Sequence, residues 1–384
     1  MNKKYLANCL LVCNIVFAMN VTAQLKQETK KIIAASRDEF FTIRDGYVFG
    51  WGSSTSLIGN SDVYGSKTPI QIGNNNQWQS IVCGKTGFTL AIRTDGTLWG
   101  WGKNKGGEYA GSGYLGLGTT ENQPVPLQVG TEKTWVSLSS GVYHTIALKA
   151  DGTIWAWGFN DKGQLGNSGT NDKSRPTQVG KENNWASIFT EGYTSFGIKT
   201  DGSLWGWGDN AVSQLGIPGN TQTAQPVPVQ IGADKDWKYG NGGLSHCLAI
   251  KQDGSLWAWG YNWEGELGNG LRSTDNTQPI RVGNDKDWSG IAGGDDFSIA
   301  IKLDGSMWSW GKNDRGQLGI GNNNDQLIPV KVGKSKKWTA ASSGSGGCIA
   351  VQSDGSVWVW GVNSLGQLGI GNRIDQNSPV QLNF

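Results

Sequence analysis

The sequence predicts an all-β fold, a seven-bladed β-propeller, on three observations. Glycine occupies 59 of the 384 positions and tryptophan 20. Short apolar runs alternate with Gly, Asn and Asp instead of following a helical period, and glycine at this density opposes helix at each occurrence. Most decisively, Asp-Gly precedes a W-x-W-G-like run seven times, at Asp45, Asp95, Asp151, Asp201, Asp253, Asp304 and Asp354, in steps of 50, 56, 50, 52, 51 and 50 residues. Seven such units fill residues 24–384 as one domain. Glycine does not recur every third residue, which excludes collagen, and tryptophan recurring in register excludes a disordered chain.

Within a unit the elements follow in a constant order. A tryptophan opens it (Trp78, Trp135, Trp185, Trp237, Trp288, Trp338), five residues after the glycine ending a P-x-x-(V/I)-G stretch. An apolar run follows, such as Thr145 to Lys149, then Asp-Gly, then Thr153-Ile154-Trp155-Ala156-Trp157-Gly158. Asp-Gly between two β-prone runs is a strong hairpin signal. Next come N-x-x-G-Q-L-G, a polar loop and a closing stretch such as Pro176 to Gly180. Three or four short strands per unit make a propeller blade. Side chains alternate along a strand, so Trp155 and Trp157 share one face while the small residue between them points to the other. The indoles are therefore expected as buried packing groups between blades.

Unit one is degenerate. Phe49 replaces the first tryptophan of its W-x-W, and Thr29 stands about where the opening tryptophan falls.

The combined motif, for example Gly141 to Leu148, Asp151 to Gly158 and Asn160 to Gly166, resembles the regulator of chromosome condensation family. The resemblance spans essentially all of 24–384. It implies a toroid of seven blades, closed by pairing of N- and C-terminal strands so that one blade is completed by both ends. It also carries, by family label alone, guanine-nucleotide exchange on a small GTPase. In that family, histidines at the position of His144 and His246, seven residues before Asp-Gly, lie toward the centre of the toroid. These two are central-channel candidates, although a structural role is the simpler expectation.

Residues 1–23 read as a signal peptide: Lys3 and Lys4, an apolar stretch from Tyr5 to Met19, then Val21-Thr22-Ala23 before Gln24. The apolar stretch is too short to span a membrane, and no longer one occurs later. The expectation is an exported, periplasmic or extracellular protein, cleaved near Ala23-Gln24, soluble and monomeric. Cleavage removes two lysines and no acid, leaving 31 basic against 31 acidic residues. That balance gives no footprint for nucleic acid. Cys83, Cys247 and Cys348 remain, an odd number without zinc spacing, and read as small core hydrophobes.

No catalytic constellation is legible, and neither a cofactor nor a metal is expected. Gly111-Ser112-Gly113-Tyr114-Leu115-Gly116 matches a dinucleotide fingerprint but falls in a loop with no helix to follow it. The Asn/Asp-rich loops, such as Gly321 to Asp325, lack calcium-loop spacing and read as turns. Departures from the repeat are more informative, because loops carry function on rigid scaffolds. Unit two has six extra residues between Gly102 and Leu115, with Tyr109 and Tyr114 among the loop aromatics; Phe159, Tyr261 and Trp263 stand in the same loop of other units. Trp263 is the one tryptophan outside the repeat positions. These five aromatics are candidates for binding a protein partner. The sequence therefore favours an exported, non-catalytic interaction scaffold, with nucleotide exchange or inhibition of a secreted or periplasmic hydrolase as alternatives.

Overall fold

In a computed structural model, residues 31–53, 58–61, 65–106, 113–217 and 223–384 are described. They form seven four-stranded antiparallel sheets, each made of four consecutive strands. We number them blades 1 (33–71), 2 (78–128), 3 (135–178), 4 (185–230), 5 (237–281), 6 (288–331) and 7 (338–381). The first strand of each blade is innermost, and all seven innermost strands line one central channel. No helix occurs among the described residues.

The Asp-Gly hairpin joins the second and third strands and carries a fixed hydrogen-bond relay. In blade 3, Asp151 Oδ1 accepts the Thr153 N–H (3.0 Å) and hydroxyl (2.7 Å). Thr153 Oγ1 then accepts the Nε1–H of Trp155 at 3.0 Å. Blades 2, 4, 5, 6 and 7 repeat this with Thr97, Ser203, Ser255, Ser306 and Ser356. The hydroxyl two residues after Asp thus orients the first indole of each W-x-W pair, a local device readable as an Asx turn.

The two indoles of a pair have different surroundings, which refines the expectation that all are buried. The first stays half-buried and packs edge-on against the opening tryptophan, as in Trp135–Trp155 at 6.2 Å and 81°. A cation covers it: Lys149 Nζ stands 3.6 Å and Lys199 Nζ 3.7 Å from the Trp155 and Trp205 ring centroids. The second indole is fully buried and reaches the preceding blade. Trp157, Trp207, Trp259, Trp310 and Trp360 each donate Nε1–H to a backbone carbonyl one blade back, on Tyr114, Gln164, Gln214, Glu266 and Gln317, at 2.7–3.0 Å. The acceptor is the residue before Leu-Gly in N-x-x-G-Q-L-G. The final glycine of that motif lies flat against the same indole. A Cβ on Gly319 would stand 2.8 Å from Trp360 Nε1, and its φ of 67° is the left-handed region that favours glycine.

The outermost strands carry the prolines: Pro69, Pro124, Pro126, Pro176, Pro226, Pro228, Pro279, Pro329 and Pro379. A missing N–H is tolerated on an unpaired edge and discourages edge-to-edge pairing, so P-x-x-(V/I)-G marks the rim.

Closure differs from the expectation. Among the described residues no terminal strand crosses between sheets: blade 1 is built from 33–71 and blade 7 from 338–381. The ring closes by packing. Ile33, Ala35, Phe40 and Trp51 share a core with Ile349, Val351, Val359 and Leu382. The Gly371 N–H donates to Lys67 O, as the loops of other blades do to their next neighbours. Phe384 stands in for the missing opening tryptophan of blade 1. It lies edge-on to Phe49 (5.4 Å) and Trp51 (6.3 Å), with the Arg44 guanidinium 4.5 Å above it. Trp78 of blade 2 meets Trp99, Trp101 and Arg93 in the same way, at 5.9, 5.9 and 4.5 Å. Separate four-stranded sheets already satisfy their own ladders, so the seam needs side chains rather than a shared strand. Thr29 lies outside the described residues.

Two stability outcomes follow. Gly319→Ala should destabilise by about 2 kcal/mol or more through both left-handed strain and the clash with Trp360. Phe384→Ala should cost less than the ~3–5 kcal/mol expected for Trp78→Ala, because Phe384 is 45% exposed and Trp78 4%. Thermal unfolding of the three variants measures both; an Ala at 319 without effect would contradict the clamp.

Candidate functional site

The loop between the first and second strands and the loop between the third and fourth strands lie on one face of the ring. Backbone bonds tie the two loops together in every blade, for example Phe159 N–H to Tyr143 O (2.9 Å) and Tyr261 N–H to Ser245 O (2.8 Å). The long loop is pinned internally by its buried asparagine. Asn160 Oδ1 accepts the Leu165 N–H and its Nδ2 donates to Gly169 O, both at 2.9 Å. Asp325 and Asp375 are likewise used to cap Asn313 and Asn363 N–H, each at 2.7 Å, so these acids serve turns. Among the described residues no group of three His, Cys, Asp or Glu is placed to hold a metal ion.

The sequence-derived candidates separate here. Trp263 is 55% exposed on the blade 5 loop, and Tyr261 beside it is half-buried. Tyr109 lies outside the described residues. Tyr114 and Phe159 are interior, at 1% and 8% exposed, which corrects their assignment as contact residues. Both belong to one core cluster because the long loop of each folds back on the next blade: Tyr114 rests on Phe88 (5.4 Å) and Tyr143 (5.5 Å), and Phe159 on Tyr143 and Tyr193. What reaches the surface of this row is the half-buried Tyr143 and Tyr193, 6.0 Å apart, two residues that sequence reading did not single out.

His144 and His246 do not line the channel. Both are buried in seams between blades, where Nε2 meets Ser195 Oγ (2.8 Å) and Ser298 Oγ (2.9 Å) of the next blade. Each serine donates to the same carbonyl that receives the tryptophan, Gln164 O and Glu266 O, both at 2.8 Å. Burial pushes both imidazoles down to about 3, so they stay neutral at working pH and act as seam fasteners. Cys247 and Cys348 are buried free thiols, raised by burial; Cys83 is also free.

Three features of this face were missed. Lys85, on the blade 2 loop, reaches Asp295 of blade 6 at 2.6 Å, an ion pair that joins non-adjacent blades. Burial alone would raise Asp295, but the Lys85 ammonium, with a Ser345 hydrogen bond and the Arg37 charge, outweighs it and holds the carboxyl below its ordinary value. A polar pocket of about 230 Å³ adjoins this strap, lined by Arg37, Lys85, Thr86, Lys103, Lys105 and Tyr143 among others. Glu266, which replaces glutamine in the repeated motif, is buried and pushed up to about 7 by desolvation. A glutamine count along the repeats could have flagged Glu266; nothing local could have flagged a contact spanning 210 residues.

Two family comparisons agree with this geometry. The profile of the RCC1-like domain matches residues 110–384, and that of the regulator of chromosome condensation (RCC1) repeat matches 78–108. The ultraviolet-B receptor UVR8 of Arabidopsis thaliana is 31% identical over 287 residues, 73% of this chain and 63% of UVR8; the chain thus spans less than two thirds of that relative. Yeast RCC1 (Prp20), solved bound to Kap60, superposes with a TM-score of 0.79 at 21% identity over 94% of this chain and 87% of that one. Human WBSCR16 gives 0.77 at 22% identity over 89% and 94%.

Glu266 gives a pH signature. Its folded-state value lies above the ordinary 4.5, so the folded protein holds a proton that the unfolded chain releases between pH 4.5 and about 7. Stability should therefore fall as pH rises through that window. Glu266→Gln should flatten the fall and stabilise at pH 8 by on the order of 1–3 kcal/mol. Denaturant titrations at pH 4.5 and 8 measure it. The carbonyl clamp at Glu266, the repeated seams and the profile match over 110–384 together place the chain in the RCC1-like domain family.

Proposed function

We propose that the protein is an exported, non-catalytic scaffold that binds a protein partner through the loop face of the propeller. One observation carries this reading: on a chain whose other tryptophans all serve the repeat, Trp263 stands 55% exposed on that face. An exposed indole on a rigid loop is a binding hot-spot signature. Leu271, 62% exposed, follows in the same loop, whose Asn262 Nδ2 donates to Leu271 O at 3.0 Å. Tyr143 and Tyr193 extend the aromatic surface over blades 3 and 4.

Support also comes from the relatives. Yeast RCC1 (Prp20) was solved with Kap60, and Prp20p was described for binding Gsp1p and histones. All three are protein partners, which suits a propeller that works by docking. Export rests on residues 1–23. The two histidines and three cysteines of the mature chain are occupied in packing or carry thiols raised by burial, which suits a role without covalent chemistry. No helix among the described residues is long and apolar enough to cross a membrane.

The test is affinity capture from envelope and medium with wild-type protein and Trp263→Ala. The expected result is a captured partner that the variant loses at least about tenfold in affinity, with unchanged melting temperature. A partner held equally by both proteins would move the interface elsewhere.

A further inference from the structure

We propose that the pocket between blades 1, 2 and 3 is a receptor for an acidic peptide segment, a carboxylate-rich stretch of the partner; this rests on the scaffold reading and names the chemistry of its contact. Arg37 enters from the blade 1 loop, Lys85 and Thr86 from the first loop of blade 2, Lys103 and Lys105 from its second, and Tyr143 from blade 3. Among the described residues, Arg37, Lys103 and Lys105 are exposed with no carboxylate within ion-pair distance, whereas eleven other cations, Lys85 among them, are paired. Two acids also line the pocket. Glu39 is 2% exposed and turned inward onto Ser36 Oγ at 3.0 Å, and Asp38 is half-buried. With Lys85 neutralised by Asp295, three cations against two acids leave a formal charge of +1 in one concavity, on a mature chain with no net charge.

The distribution of donors argues for carboxylates along a chain over a single phosphate. A phosphate cradle needs free backbone N–H groups converging on one point. Here three of the lining N–H groups are already used: Lys85 N–H donates to Gly141 O, Gly87 N–H to Gly84 O, and Lys103 N–H to Gly87 O. What is offered is separate side-chain charges spread over two blades, with Lys85 held in place by Asp295 at 2.6 Å. Strongly hydrated ammonium groups on flexible stems suit carboxylates spaced along an extended peptide. The half-buried Tyr143 and Tyr193 continue from the pocket toward blade 4 and provide an apolar shelf for the intervening residues.

The experiment uses the mature chain and a fluorescein-labelled octaglutamate peptide read by anisotropy, with octalysine and inorganic phosphate as comparison probes. Octaglutamate should bind, weaken with added salt, and lose at least about tenfold in affinity in Arg37→Glu/Lys103→Glu/Lys105→Glu. Lys181→Glu/Lys238→Glu/Lys334→Glu makes the same charge change at exposed sites outside the pocket and should lose less than about twofold. Equal loss in both triples, no binding of octaglutamate, or competition by millimolar phosphate at constant ionic strength would overturn the proposal. Melting temperatures of both triples confirm folding. A captured partner that depends on Trp263 but ignores the pocket triple would overturn this inference and leave the scaffold reading standing.

Discussion

The fold depends on one repeated contact, the indole of each blade driven under the loop of the blade before it. In blades 3 to 7 the Nε1–H finds a carbonyl at 2.7–3.0 Å, and in all seven blades a glycine of the preceding loop permits the approach. A buried indole without that acceptor would leave an unsatisfied donor worth about 1–3 kcal/mol. Each sheet is self-contained in its own ladder, so these seams are what turn seven hairpin stacks into one ring. The seam also recruits neighbours to the same carbonyl: Ser195 and Ser298 by hydroxyl, Cys348 by a thiol at 3.4 Å. The histidines, the feature that most resembled chemistry, end as partners of those serines.

This allocation divides the molecule into parts that serve the ring and a remainder that is free. The half-buried indoles belong to the first group, since in blades 2 to 6 a lysine or arginine covers them. The Lys302 ammonium shows the arrangement: it lies over Trp288 and Trp308 while Asp285 and Asp287 hold it at 2.6 and 3.0 Å. The loop face is different in kind. Its blade 1–2 sector is basic, its blade 3–5 sector aromatic, and its blade 6 sector holds Asp295 and Asp296. In the proposed scaffold, such a polarised rim would set the orientation of a partner more than add affinity.

Seven sheets, their hairpins, the proline edges and the glycines of the turns were legible in the sequence because each depends on residues within a few positions of one another. Asp-Gly-Thr-x-Trp is a complete hydrogen-bond relay inside five residues, and W-x-W follows from strand alternation. The contact role given to Tyr114 and Phe159 was not sustained, because whether a loop aromatic faces water or the adjacent blade is decided by that blade. Trp263 could be picked out as irregular, and its exposure agrees with that.

What the sequence by itself determined is therefore the blade and its number of copies. What only the tertiary structure decided is how the ring shuts and what its face offers. Phe384 closes the seam by meeting Phe49 and Arg44, more than three hundred residues away in the chain. Lys85 meets Asp295, and Arg37 joins Lys103 around one pocket, by the same kind of convergence. Local hydrogen bonding and side-chain period leave a trace at fixed spacing, whereas contacts between blades exist only after the ring has curved back on itself.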